Sequence, residues 1–406
     1  MSELIQVDMP PRREPPIHLG LYHYVPENTE ESRGPRKPVL LLHGASASHR
    51  TFITPDGGLA KWLAQEHFDP WLLNWRGSGL VVDDPRNERS LVENGTVYNF
   101  NLAAEHDIRD AINVMRRQNV TGKIAVLGFC MGGAILAESV ALGYITEEDV
   151  DCIVLMTLGL FYEATIDGRV KCEDRVLEQL EQSIRAGDDV KPWIDPRMDE
   201  TSPLTLRSPW HSDLEDLYKA WPNALKSHAE DPQRTVVQPH DAVNCMCNRL
   251  SFMYGMPYHH LNLVDAIHDP GSKDGRLQDL FGAIPLHMFI HGARNIRTGH
   301  ATFYDRRAGK DPFLSAEAHE NFRHLSKVTL ITGALDRLWH RNSIDLMHEW
   351  LCRGTPDHLR RFKKHVFPGY AHQDLLWGRD SKECIFPKIK AGLEADSYLD
   401  RTLSAS

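Results

Sequence analysis

The sequence has no apolar run approaching the roughly eighteen residues that a membrane span requires. Its first residues, MSELIQVDMPPRREPP, hold no apolar stretch of the kind that directs secretion. A cytoplasmic protein with no membrane span is therefore the expectation. Surplus positive charge is also missing. Against 56 Asp and Glu stand 46 Lys and Arg, a net charge of -10, which argues against nucleic acid as a partner. Cysteines are few and odd in number, seven in 406 residues, and no framework spacing links them. That suits a reducing compartment in which thiols stay free for chemistry. The 22 histidines include no His-Glu-x-x-His, and no paired-cysteine motif accompanies them. His259 and His260, being adjacent, cannot aim both rings at one ion from a helix, so neither a metal nor any other cofactor is expected.

What is present is an ordinary globular composition, 41% hydrophobic and 25% charged. The length fits one core carrying a large insertion. Pro38-Val39-Leu40-Leu41-Leu42 is a short apolar run of the sort buried on both faces of a parallel sheet, and Trp71 to Trp75 is a second. Between them Gly57 to His67 reads as a helix, giving the strand, helix, strand order of a crossover unit. Ile108, Ala111, Ile112 and Met115 have helical spacing. After them come the strand Lys123 to Leu127, a small-residue helix from Met131 to Leu142, and a strand from Cys152 to Met156. The alternation then stops. Residues 160–323 read as an inserted, mainly helical cap that shapes the substrate pocket, with Trp193, Trp210, Trp221, Phe252, Tyr254 and Phe281 as candidate apolar lining. Strands resume at Lys327 to Gly333 and Phe362 to Phe367, and a helix near Glu383 to Leu393 closes the fold. The expected organisation is an arm or peripheral strands over 1–37, a core from 38–159 and 324–396, the cap at 160–323, and a tail at 397–406.

The chemistry centres on Gly128-Phe129-Cys130-Met131-Gly132-Gly133, between a buried strand and a helix. A nucleophile on such a sharp turn needs small neighbours, and Gly128, Gly132 and Gly133 supply them. The Met131 amide would face a developing oxyanion, where the helix dipole favours negative charge. A second donor is expected from the loop after the first apolar strand, His43-Gly44-Ala45, through the Ala45 amide. The acid and base of such a constellation follow the nucleophile in chain order, at the ends of later strands. Asp336 follows the strand ending at Gly333, and His372 follows the next, in Phe367-Pro368-Gly369-Tyr370-Ala371-His372. His372 would take the thiol proton and Asp336 would fix its tautomer.

Blander readings compete with each assignment. Free cysteine is often simply buried, which is the expected state of Cys152, Cys172, Cys245, Cys247, Cys352 and Cys384. His365 lies within a strand and His340 only four residues past Asp336, so both rank behind His372 as the base. Glu163 or Asp167, after the earlier strand, are alternative acids. Arg76-Gly77-Ser78-Gly79 lacks the third glycine of a dinucleotide loop and reads as a bend. Asp374 reads as a solvated or helix-capping residue. His43, Tyr254, Tyr258, His259 and His260 are candidate pocket residues.

The runs LLLHGASASHRTF, GGLAKWL, WLLNWRGS, GFCMGG, CNRLSFMYG and PGYAHQDLLWG resemble the hydrolase domain that accompanies some flavin-dependent sterol oxidases, and more distantly the acid lipases. The likeness spans roughly residues 36 to 395. It implies an α/β-hydrolase fold: a mostly parallel central sheet flanked by helices, with the cap inserted after the sixth strand. It also implies a triad at Cys130, Asp336 and His372. Acid lipases carry serine at the centre of the turn. Cysteine there is similar to dienelactone hydrolases and polyhydroxyalkanoate synthases. The expected activity is hydrolysis of an ester, thioester or lactone through an S-acyl intermediate on Cys130. Transfer or cyclisation to an acceptor other than water, and a hydrolase-fold binding protein without catalysis, stand as alternatives. The expected partner is a small acyl substrate, apolar or carried on coenzyme A or an acyl carrier protein.

Overall fold

The computed structural model describes residues 3–13, 16–26, 35–54, 58–93, 95–165, 168–169, 172, 182, 193–195, 277–305, 311–354 and 361–395. Eight strands form its main sheet: β1 (Glu3–Val7), β2 (Gly20–Val25), β3 (Lys37–Leu42), β4 (Phe68–Asn74), β5 (Ile124–Phe129), β6 (Val150–Met156), β7 (Lys327–Gly333) and β8 (Phe362–Phe367). Their order across the sheet is β1-β2-β4-β3-β5-β6-β7-β8. Strands β3 to β8 run parallel, and β1 and β2 join one edge antiparallel. The stretch expected to be an arm or peripheral strands thus supplies two edge strands of the sheet.

The central strands are apolar because both faces are covered. Every residue of β5 and β7 is buried, and β3 is buried from Pro38 onward. The helices include α1 (Gly58–Gln65), α2 (Ile108–Arg117), α3 (Met131–Ala141), α4 (Leu286–Thr298), α5 (Ala316–His324), α6 (Asn342–Cys352) and α7 (Phe386–Leu393); α1, α3, α6 and α7 pack on the main sheet, α5 packs on α3 and α6, and α4 packs on the separate strand pair Trp193–Ile194 and Ile284–Pro285. Helix α3 is buried along its whole length, between the sheet and α5, and the Asn321 amide of α5 donates to the Ala141 carbonyl at 3.1 Å. The closing helix is in two pieces: a short turn, Ser381–Cys384, breaks at Ile385, and Pro387 then sits in the first turn of α7. Proline is accepted there because that amide has no helical partner to lose.

One open expectation is decided and another changes. Asp374 is fully buried rather than solvated: its carboxylate accepts from the Ala371 amide at 2.9 Å and its carbonyl from Ser381 Oγ at 2.6 Å. Asp374 opens the short helix Asp374–Trp377 and its carboxylate reaches back to the Ala371 amide, so of the two roles the sequence allowed the helix-capping one holds. Cys384 is exposed and Cys352 half-buried, 3.6 Å from His348 Nε2, so burial does not account for them. Cys172 is also half-buried. Cys152 is buried as expected, and burial first, then Asp151, pushes its thiol up to about 12.

Candidate active site

Cys130 stands between β5 and α3 with φ 56° and ψ -125°. An L-residue in that conformation is strained, and such strain persists only where its surroundings enforce it. The enforcement is visible on three sides. The Cys130 amide donates to the Met156 carbonyl at 3.0 Å, and its carbonyl accepts from Gly133 and Ala134 at 2.8 and 3.2 Å. A Cβ on Gly128 would lie 2.4 Å from the Gly132 carbonyl oxygen, and one on Gly132 would lie 2.4 Å from the Leu42 oxygen. A Cβ on Gly133 would lie 2.6 Å from the Leu158 oxygen. The glycines let α3 press against the ends of β3, β5 and β6, and that pressure holds the turn.

Gly44 is the partner across the gap: a Cβ there would meet Cys130 Cβ at 3.0 Å. The Ala45 loop therefore passes directly over the thiol. The Met131 amide opens α3 and has no carbonyl a turn earlier to bond. Ser46, at φ 55°, donates its amide to the Gly77 carbonyl at 2.9 Å and accepts from the Gly282 amide at 2.6 Å. Those bonds fix the loop on which Ala45 sits.

His43 is fully buried and stacks on Trp75, with centroids 5.6 Å apart. Burial holds its ring neutral, with a pKa lowered to about 3, although its Nδ1 lies 2.6 Å from the Gly44 carbonyl. Nδ1 therefore carries the proton and donates it to that carbonyl. Tyr254, Tyr258, His259 and His260, together with Asp167, Trp210, Trp221, Phe252, Cys245 and Cys247, lie outside the described residues. Among the other candidate lining residues, Trp193 is buried, and Phe281 is buried edge-on to Trp377 at 5.9 Å.

The loops after β7 and β8 bring Asp336 and His372 together. His372 Nδ1 lies 2.7 Å from Asp336 Oδ2. The other carboxylate oxygen accepts from the Leu338 and Trp339 amides at 2.9 and 3.1 Å, which fixes the carboxylate plane. The His372 ring packs on Phe129, the residue before Cys130, at 4.9 Å. Its Nε2 is buried with no hydrogen-bond partner among the described residues. Burial disfavours the imidazolium, but Asp336 and then Cys130 outweigh it and push His372 up to about 10. A buried imidazole with one nitrogen anchored and the other unpartnered can take or return a proton on the Cys130 side.

The competing residues are committed elsewhere. Glu163 pairs with Arg169, and its carbonyl accepts from the His340 amide at 2.7 Å. His365 is half-buried within β8, and burial lowers its pKa. Arg76 is fully buried in a bidentate pair with Asp107, with Nη2 2.5 Å from Oδ1, so its loop is a structural bend.

Sequence reading missed Glu138 and Tyr162. Both are fully buried, with the Tyr162 hydroxyl 3.3 Å from Glu138 Oε1. A signal for Glu138 existed: it is the one charged residue in MGGAILAESVA, spaced four and eight residues from Ala134 and Cys130. Tyr162 had none, because only the fold brings the loop after β6 onto α3.

Residues 37–167 match the family model described as the alpha/beta hydrolase fold. Among solved structures, a lipase in its open form superposes with a TM-score of 0.54 at 13% identity, over 97% of this chain and 98% of its own. A complex of DcsB with its substrate analogue superposes with a TM-score of 0.50 at 12% identity, over 97% and 99%. No curated protein matches the chain in sequence. With its strand order, its parallel centre and its flanking helices, the chain has the α/β-hydrolase fold.

Proposed function

We propose that the protein is a cysteine-nucleophile acyl hydrolase acting on an ester, thioester or lactone, with Cys130, His372 and Asp336 as its triad. The observation that carries this reading is the strained Cys130 turn, set beside a buried His372–Asp336 pair whose outward nitrogen has no other described partner. In this reaction His372, pushed up to about 10, holds the Cys130 proton on Nε2, and the sulfur attacks the acyl carbon. The carbonyl π electrons move onto oxygen, where the Ala45 and Met131 amides receive them. A preorganised donor of this kind contributes roughly 10²–10³ in rate. Collapse of the tetrahedral adduct expels the leaving group, which takes the proton back from His372. Water then attacks the S-acyl group, gives a proton to His372, and releases the carboxylic acid and the thiol.

The chemistry of sulfur sets the substrate range. Exchange of one thioester for another is nearly balanced in free energy, so a thioester acylates Cys130 without an uphill step, and activated esters and lactones do so downhill. The resemblance to capped hydrolase domains supports a substrate enclosed by the segment after β6. The test is intact-mass analysis of the full chain after brief exposure to a panel of acyl thioesters, aryl esters and lactones. A mass gain mapped to Cys130 and lost on hydrolysis is the expected result. If no member of the panel leaves an adduct or turns over, the reading fails.

A further inference from the structure

Gly44 is where the loop after β3 meets the nucleophile: a Cβ on it would lie 3.0 Å from Cys130 Cβ and 3.5 Å from Cys130 Sγ. That crowding calls for glycine, and glycine leaves the backbone free to rotate, so the Gly44–Ala45 peptide needs a tie from outside. The tie is on its carbonyl. His43 Nδ1 lies 2.6 Å from the Gly44 oxygen, whereas the Ala47 amide, the one backbone donor to it among the described residues, stands off at 3.4 Å. A trans peptide is planar, with its N–H and C=O on opposite sides. Turning the Gly44 carbonyl to the imidazole therefore turns the Ala45 amide away from it, and that amide makes no hydrogen bond among the described residues. An unused donor is thus left on the residue that follows the one packed against Cys130.

The imidazole is itself clamped. It stacks on Trp75, and Trp75 Nε1 donates to the His43 carbonyl at 2.9 Å. The Trp75 ring lies tight on Gly77, where a Cβ would meet it at 2.2 Å. Farther along the loop the carbonyls are tied by other segments: Ser46 accepts from the Gly282 amide at 2.6 Å, and Ala47 from the Gly79 amide at 3.1 Å and from Ser78 Oγ at 2.9 Å. At Gly44 the short bond comes from a side chain. Packing alone does not explain a histidine in this place. Its Nε2 is buried with no partner among the described residues, an acceptor stripped of water with nothing in return. Phenylalanine would fill the same space against Trp75 without that loss. What the imidazole adds is the Nδ1 proton, and burial keeps the ring neutral.

We propose that His43 is a positioning residue: its Nδ1–H holds the Gly44 carbonyl and thereby aims the Ala45 amide at the oxyanion of the acyl adduct. It acts through the Gly44–Ala45 peptide rather than on the reacting atoms. A donor contributes to an oxyanion through its alignment, and a peptide free to rock about Gly44 loses that alignment. The proposal deepens the Cys130 reading and rests on it.

The test measures two reactions of the same thiol on the full chain, in wild type, H43F and H43N. Acylation by an aryl ester drives carbonyl electrons onto oxygen and needs the aimed amide. Alkylation by iodoacetamide forms a carbon–sulfur bond at a saturated carbon as iodide leaves, and no oxyanion arises. In H43F single-turnover acylation is expected to fall by about 10- to 100-fold, part of the value of one oxyanion donor, with alkylation unchanged within about twofold. In H43N the side-chain amide can donate in place of Nδ1, and most of the lost acylation rate is expected to return. Equal acylation in wild type and H43F overturns the proposal. So does a parallel fall of acylation and alkylation, which would mean that the nucleophile turn itself was disturbed, and so does an H43N no faster than H43F. Nitrogen-15 spectra keep the question open to measurement should H43F fail to fold: at neutral pH one histidine, identified by its loss in H43N, is expected as the neutral Nδ1–H tautomer. A proton on Nε2 of that ring instead overturns the proposal. If wild type takes no acyl group from any member of the panel, the Cys130 reading fails and this proposal with it; if wild type is acylated and H43F matches it, this proposal alone fails.

Discussion

The imidazole of His372 and the carboxylate of Asp336 meet at 2.7 Å with both side chains 1% exposed. They reach this contact from separate loops, each following one of two adjacent parallel strands. The pair is therefore fixed by sheet register rather than by local sequence.

Replacing Asp336 with Asn should leave the fold intact while removing the group that holds the His372 tautomer. The amide can still accept from the Leu338 and Trp339 amides. Its NH₂ would face Nδ1, which must then give up its proton and leave it on Nε2, the nitrogen needed as the base. Acylation of Cys130 by an aryl ester should fall by about 10³–10⁴-fold in single-turnover measurements, with an unchanged circular dichroism spectrum.

Cys130→Ala and Cys130→Gly should both eliminate the acyl adduct, yet differ in stability. The positive φ at this position penalises every L side chain, and glycine relieves that penalty. Urea unfolding should place Cys130→Gly about 1 kcal/mol above Cys130→Ala. Alanine more stable than glycine would mean that the turn is not strained.

Gly132→Ala should destabilise the protein, although alanine ordinarily gains about 1 kcal/mol over glycine inside a helix. The added Cβ would stand 2.4 and 2.6 Å from the Leu42 and His43 carbonyl oxygens. Backbone cannot yield there without moving β3 away from α3, so overpacking of about 1–3 kcal/mol or more should decide the sign. Thermal unfolding of the variant measures it.

Stability should depend on pH through Glu138 in a direction opposite to that of an ordinary paired carboxylate. The folded value is about 8 against 4.5 for the free group. The native state therefore binds the extra proton between those values, and stability is lost as pH rises from about 4.5 to about 8. Glu138→Gln does not titrate, so its advantage over wild type should grow across that window, reach on the order of a few kcal/mol, and then level off. His372, raised to about 10, loses its own contribution between about 6.5 and 10 in both proteins and cancels in the difference. Denaturant midpoints at several pH values, compared between the two proteins, give the sign directly.

Much of this arrangement was legible in the chain. Wholly apolar runs such as Val39 to Leu42 and Ile153 to Met156 mark strands covered on both faces, and their residues are fully buried. The helix of small residues after Cys130 required a close neighbour, and the glycines meet the carbonyls of β3 and β6. Other features were less legible. Helix termini shifted by a few residues, because fraying and capping depend on which groups meet the ends. Asp374 read as either solvated or helix-capping because a single acidic side chain carries no sign of the turn that encloses it, and the fold decided for the capping role.

The sequence by itself determined the parallel α/β core, the strained turn at Cys130 and the chain order of the candidate acid and base, since all three follow from local periodicity and from where glycine is needed. Only the tertiary structure decided what surrounds that turn. The spacing of residues along a chain does not say that the loop after β6 folds back onto α3, and so it could not place the Tyr162 hydroxyl against the Glu138 carboxyl. Nor could it show that Glu138 is buried away from any described cation. Burial and pairing are sums over distant segments, and those sums set the protonation states on which the chemistry proposed for Cys130 rests.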